Sequence, residues 1–169
     1  MKAFWPILIA GLLASPVKAA SQTHCGSDEK VFFSCTIGSS GARKVASICG
    51  NANEKNEARW VQYRFGAIGS PEMVYPTKTK DSREKFFAHF ENHPEGGFRE
   101  IWFKVGDYRY LVGDDYSADA AEKVDSHVVV YKGWQPIANL KCVRTAVDDL
   151  YSLRERVLDA NNDGFYNQK

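Results

Sequence analysis

From residue 30 onward, apolar and polar residues alternate in short runs separated by Gly, Ser, Asn and Pro, the period-two pattern of half-buried strands. "KVFFSCTI" (30–37) is rich in β-branched and aromatic residues, "GSSGAR" breaks it, and "KVASIC" (44–49) resumes it. After the polar stretch "NANEKNEA" (51–58), "RWVQYRFG" (59–66) alternates: Val61, Tyr63 and Phe65 point one way, Trp60, Gln62 and Arg64 the other. "EMVYP" (72–76) predicts a short strand ended by proline. Residues 77–97 are the least regular, with room for one strand from Phe86 to Phe90.

The clearest hairpin follows. "FREIWFKV" and "YRYLVG" flank Gly106-Asp107, a two-residue turn of the type I′ or II′ kind. That turn sets Val105 against Tyr108, Phe103 against Tyr110 and Ile101 against Val112, all on one face. Lys104 against Arg109 and Trp102 against Leu111 occupy the other. "DDYSADAAEKVDS" (114–126) reads as an acidic loop. "HVVVYKGWQPIANLKC" (127–142) predicts a second hairpin turning at Gly133-Trp134, with Pro136 at the start or edge of its return strand.

The period then changes. Ala146, Leu150, Leu153 and Val157 recur at spacings of four, three and four, and Thr145 with Asp148 resembles an N-terminal capping pair. This predicts an amphipathic helix over about 145–160. The expected fold is mainly β: an antiparallel sandwich or partly open barrel of about eight strands with that one C-terminal helix.

The first residues are of another kind. Lys2, an apolar run from Phe4 to Leu13, and small residues around Val17-Lys18-Ala19 predict a secretory signal peptide over 1–19. The run is shorter than the ~20 residues of a spanning helix, and no second one follows, so residues 20–169 are expected as a single exported, periplasmic or secreted domain. Losing Lys2 and Lys18 takes the net charge from +1 to −1, no basis for bulk attraction to nucleic acid or an anionic membrane. Four cysteines, Cys25, Cys35, Cys49 and Cys142, imply two disulfides with three possible connectivities. Cys35 and Cys49 are symmetric about residue 42, inside the "GSSGAR" break, which favours Cys35–Cys49 and Cys25–Cys142. Their spacings do not suit zinc.

Few residues suggest chemistry. "DANNDGFYNQK" (159–169) resembles the first half of a calcium loop, with Asp159, Asn161 and Asp163 at ligand positions, but the twelfth ligand falls beyond residue 169. The alternative is a helix C-terminus with Asn and Gly in left-handed capping positions. In "HFENH", His89, Glu91 and His93 would share a face on a strand; a solvated loop is the plainer reading. No nucleophile elbow, P-loop or dinucleotide fingerprint is present, so no cofactor is expected. Trp60, Trp102, Trp134 and Tyr116 have no place on the proposed core face. A second layer would cover Trp60 and Trp102, while Trp134 and Tyr116 fall in a turn and a loop, where exposed aromatics anchor protein contacts.

The strings "VFFSC", "KVASIC", "VQYRFG", "PEMVYP", "VGDYRYLV" and "IANLKC", with Gly96-Gly97 between, resemble a group of small exported proteobacterial proteins of unassigned function. The resemblance spans about residues 25–142 and implies a compact, disulfide-bonded, mostly β domain. In size, export and β content the chain is also similar to the periplasmic lysozyme inhibitors, which insert an S-G-x-x-Y loop into the enzyme cleft. The nearest string here, "SGARK" (40–44), lacks the tyrosine. These features together imply a non-catalytic binding protein with a protein partner in the cell envelope, an inhibitor of or immunity protein against lysozyme or another peptidoglycan hydrolase. Its candidate contact residues are Gly106, Asp107, Asp114, Asp115, Tyr116 and Trp134, the acidic ones steering a basic partner. A glycan-binding module and a small hydrolase are the alternatives.

Overall fold

A computed structural model describes residues 22–38, 43–51, 60–117, 124–162 and 164–167; the expected signal peptide and the "SGA" of "SGARK" lie outside them. Ten strands rather than about eight form one curled, mixed sheet, a half-barrel. They are β1 (Glu29–Ile37), β2 (Lys44–Asn51), β3 (Val61–Ala67), β4 (Ser70–Tyr75), β5 (Phe86–His93), β6 (Gly96–Val105), β7 (Tyr108–Ser117), β8 (Val124–Lys132), β9 (Gln135–Asp148) and β10 (Leu158–Asp159). Their order is β10-β5-β6-β7-β8-β9-β1-β2-β3-β4, antiparallel except for the two-residue β10–β5 pair. Two meanders, β1–β4 and β5–β9, are therefore joined by β9 pairing with β1.

The predicted register of the first hairpin forms: Val105 pairs with Tyr108, Phe103 with Tyr110 and Ile101 with Val112. β8 and β9 turn at Gly133-Trp134 as expected, with Pro136 opposite Tyr131, and the register then shifts by one residue so that Val130 opposes Ala138. β7 and β8 extend into the segment read as an acidic loop, so Asp114, Asp115 and Tyr116 are strand residues.

The concave face holds the core. Phe103 is fully buried at its centre, with ring centroids 4.9 Å from Tyr75, 4.9 Å from Tyr110, 5.0 Å from Tyr63 and 5.3 Å from Phe86. Tyr63 and Tyr75 come from one end of the sheet, Phe86 and Phe103 from the other, so the rings meet across the concavity. The link between β4 and β5 is pinned beneath β3: Ser82 Oγ accepts from Val61 N (2.9 Å), and Pro76 O accepts from Gln62 Nε2 (2.8 Å).

No helix occupies 145–160. Thr145–Asp148 continue β9, because β1 would otherwise present an unpaired edge there; Cys35 pairs with Thr145 and Phe33 with Asp148. Leu150–Leu153 is a single 3-10 turn that buries both leucines in the core. The apolar spacing that reads as a long helix is thus shared between a strand end and one short turn.

The disulfides join Cys25 to Cys49 and Cys35 to Cys142. The favoured Cys35–Cys49 pairing fails on register. Ile37 opposes Lys44 and Cys35 opposes Ala46, so Cys35 sits three residues away from alignment with Cys49. An odd offset puts the two cysteines on opposite faces. Cys35 faces the core and bonds to Cys142 on the neighbouring β9. Cys49 faces outward and bonds to Cys25, whose segment lies across the outer face of β1–β3. There Ser34 Oγ donates to Gln22 O (2.7 Å), His24 N to Ser47 Oγ (3.1 Å), and Arg64 forks onto Glu29 (2.7 and 2.8 Å).

Loop-closure entropy ranks the two bridges. Removing Cys35–Cys142, which spans 107 residues, is expected to cost about 5 kcal/mol, and removing Cys25–Cys49, which spans 24, about 3 kcal/mol. Paired Cys→Ala variants in urea denaturation check the order, and non-reducing peptide mapping checks the connectivity.

Candidate functional site

Three places on the molecule gather side chains that chemistry or recognition could use. The first is the tip where the β6–β7 and β8–β9 hairpins turn side by side. Gly106 and Gly133 have φ of +57° and +60°, left-handed values that a two-residue turn requires of them. Gly133 N donates to Asp107 O (3.1 Å), locking one turn to the other. Arg109, 5 % exposed, donates Nη1 to Gly133 O (2.7 Å) and lies 3.9 Å from the Trp134 ring centroid. The tip therefore shows Asp107, Tyr108 and a 45 % exposed Trp134 on backbone that is tied down.

The second is an aromatic layer on the outer face of β5–β8. Phe87, Trp102, Leu111 and Val129 form one cross-strand row. Trp102 is buried, as a second layer would make it, and the C-terminal segment rather than a helix supplies the cover. Phe165 packs on Phe87 (4.3 Å) and Trp102 (5.9 Å), Tyr166 stacks on Trp134 (5.6 Å), and Ala160 N donates to Ala88 O (3.0 Å). Trp60 is half-buried at the start of β3.

His89, Glu91 and His93 lie on β5, not in a loop, and do share its outer face. Glu91 contacts Nε2 of both His89 (3.2 Å) and His93 (3.1 Å). Hydrogen bonds with His93, then His89, hold its carboxyl below the usual carboxylate range. Burial and the Glu100 and Glu91 carboxylates push the Tyr166 phenol above its ordinary value. Its hydroxyl is hydrogen-bonded to His89 Nδ1 (2.6 Å) and ties the tail to β5. Burial also pushes the Glu100 carboxyl up, against the hydrogen bond it accepts from Trp102 Nε1 (2.8 Å). This cluster fastens the tail and leaves His89 fully engaged.

The third lies on the concave face at the far end of β6–β9. Phe90, Arg99, Asp114 and Ser126 form one cross-strand row, and Asn92, Gly97 and Tyr116 the next. A Cβ on Gly97 would come within 2.7 Å of the Tyr116 hydroxyl, so the glycine is what lets that ring lie across β6 and donate to Asn92 Oδ1. Arg99 binds both Asp114 and Asp148 and lies 5.6 Å from the Tyr116 ring.

The structure thus brings Gly106, Asp107 and Trp134 together and separates them from Asp114, Asp115 and Tyr116, at least six residues further along β7 than Tyr108. Asp114 is buried in an ion pair, Asp115 is exposed on the opposite face, and Tyr116 is half-buried. Arg99, Asp148 and Arg109 are the partners that sequence reading missed. Arg99 and Asp114 are equidistant from the Gly106-Asp107 turn, and that symmetry is the signal that pairs them. Asp159 Oδ1 accepts from Asn161 N (2.8 Å) and Asn162 N (3.1 Å), a self-capped turn that leads into the tail; Asp163 lies outside the described residues. No helix of the described residues is long and apolar enough to cross a membrane. No protein-family model, curated protein or solved structure matches the chain.

If the tail is a docked cover, Phe165→Ala should release it locally instead of unfolding the core. The expected outcome is a red-shifted Trp102 emission and faster amide exchange over 158–167. The stability loss should stay below the ~3–5 kcal/mol of a core Phe→Ala change.

Proposed function

We propose that this is an exported, non-catalytic binding module that acts on another protein of the cell envelope, with lysozyme or a related peptidoglycan hydrolase as the concrete target. The observation that carries the reading is the locked double turn. A half-exposed tryptophan clamped by Arg109 sits beside a second turn to which its own is hydrogen-bonded. Such a tip loses little conformational entropy on docking, which is what distinguishes tight inhibitor loops from floppy ones of equal area. Two disulfides and a filled core support it from below. The disulfide framework also accords with an oxidising compartment.

The contact is aromatic rather than acidic in character. Asp107 is the one acid in the two turns, and Lys104 and Lys132 stand close by on the flanking strands. Trp134, Tyr108 and Asp107 are therefore the anchors in this reading, entering a partner's cleft to exclude substrate.

The test is inhibition of a panel of lysozymes and other peptidoglycan hydrolases by the purified protein. Inhibition at nanomolar to micromolar concentration is expected, weakened about tenfold or more by Trp134→Ala with the fold intact. Hydrolases running at full rate in excess protein would remove this reading. Tryptophan fluorescence that responds to muropeptides without any inhibition would put a glycan-binding module in its place.

A further inference from the structure

The concave cluster carries an inference independent of the proposed partner. The Asp114 side chain has no solvent exposure and that of Asp148 is 18 % exposed. Arg99 donates Nε and Nη2 to Asp114 Oδ1 (3.0 and 2.7 Å) and Nη2 to Asp148 Oδ2 (3.1 Å). The remaining oxygens, Asp114 Oδ2 and Asp148 Oδ1, are both buried and receive no hydrogen bond. Arg99 Nη2, 2.7 Å from Asp114 Oδ1 and 3.1 Å from Asp148 Oδ2, bridges the two carboxyl groups and holds them as neighbours. One guanidinium against two carboxylates leaves a surplus negative charge out of water, a costly state unless something positive sits between the orphaned oxygens. One proton on the pair removes that surplus.

We propose that Asp114 and Asp148 hold one proton between them, making this end of the half-barrel a proton-binding site that ties β7 to the end of β9. The proton turns one orphan acceptor into a donor to the other, and Arg99 then balances the single remaining charge. Burial, then the neighbouring Asp148, push Asp114 up to about 6, in keeping with that arrangement. The groups facing the pair are Arg99 from β6, Tyr116 from β7, the neutral Ser126 from β8, and Thr145 from β9, whose hydroxyl donates to Ser126 (2.9 Å). β5 contributes neutral Phe90 and β1 neutral Phe33, opposite Arg99 and Asp148. Asp149, next in the chain, is paired with Lys30 (2.8 Å). Glu100, His127 and Asp115 stand on the outer face of the same strands and do not enter the cluster.

The sign follows from the raised value. The folded protein holds the proton more tightly than the unfolded chain, so the contribution is complete below about pH 4. It is lost as pH rises through about 6 and is flat above that. Two pH units of difference correspond to about a 100-fold fall in the folding equilibrium constant. The loss should be felt first where Asp148 leads into the 3-10 turn at Leu150–Leu153.

Carboxyl-carbon NMR of the purified protein across pH 3–8 tests this. An Asp114 carboxyl titrating near 6 is expected, together with amide shifts over 148–153 that follow it. Asp148→Asn, which supplies an N–H donor to Asp114 in place of the proton, should bring Asp114 down to the ordinary carboxylate range. It should also flatten the pH dependence of urea unfolding. Asp114 titrating below about 4.5 in the wild type would overturn the proposal. So would calorimetric calcium binding at neutral pH that Asp148→Asn abolishes, since a cation would then fill the gap.

Discussion

Everything in this molecule depends on bringing the two edges of one sheet together. β4 and β5 are consecutive in sequence but stand eight strand positions apart in the sheet. Laid flat, that separation is about 38 Å at normal strand spacing, and the link from Tyr75 to Phe86 would have to be fully stretched to cover it. Instead the link contains a 3-10 turn at Ser82–Lys85, and the Tyr75 and Phe86 rings are 6.0 Å apart. The sheet has to curl, and the aromatic core around Phe103 is what fills the resulting concavity. Large flat rings suit that role, because they bury much area per residue and stack across strands of different twist.

Curling solves one face and leaves the other. The outer face of a half-barrel needs its own cover, and the chain provides two chemically distinct ones from its ends. The N-terminal segment covers β1–β3 with backbone and hydroxyl hydrogen bonds and is held by Cys25–Cys49. The C-terminal segment covers β5–β8 with Phe165 and Tyr166 and is held by ring contacts and the Tyr166–His89 hydrogen bond. One cover is covalent and polar, the other non-covalent and apolar, so only the second can leave by a local opening. Large apolar side chains reach solvent on β9 as well, at Ile137 and Val143, but only at the hairpin tips do they stand on turns hydrogen-bonded to each other among the described residues.

How much of this was legible in the sequence depended on the range of the interaction. The β6–β7 hairpin was, because a two-residue turn with no bulge dictates every pair downstream of it, and alternation then confirms the faces; for β8–β9 only the turn was, since a bulge between Tyr131 and Val130 shifts the later pairs. The Cys35–Cys49 expectation failed because the β1–β2 loop is longer, and a centre displaced by a residue and a half reverses the face of one cysteine. The C-terminal helix failed because spacings of three and four say nothing about whether β1 needs a neighbour. Thr145–Asp148 answer that need. Trp102 was placed under a second layer, but the layer proved to be a tail whose "DANNDGF" composition suggested a metal loop. The Arg99–Asp114–Asp148 cluster needed both the β6–β7 register and the unforeseen β9–β1 pairing, so half of it was present in the sequence and half was not.

The two tips are held side by side by the β7–β8 ladder and the Gly133–Asp107 hydrogen bond, while the curl shapes the surface behind them. The most direct test of the curl is a nuclear Overhauser experiment between the aromatic rings of Tyr75 and Phe103, whose centroids are 4.9 Å apart although 28 residues separate them. The account predicts strong cross-peaks between these rings, accompanied by Tyr63–Phe103 peaks. Their absence in a protein whose β6–β7 pairing is otherwise intact would mean that the sheet stays open, and would contradict the half-barrel on which the rest is built.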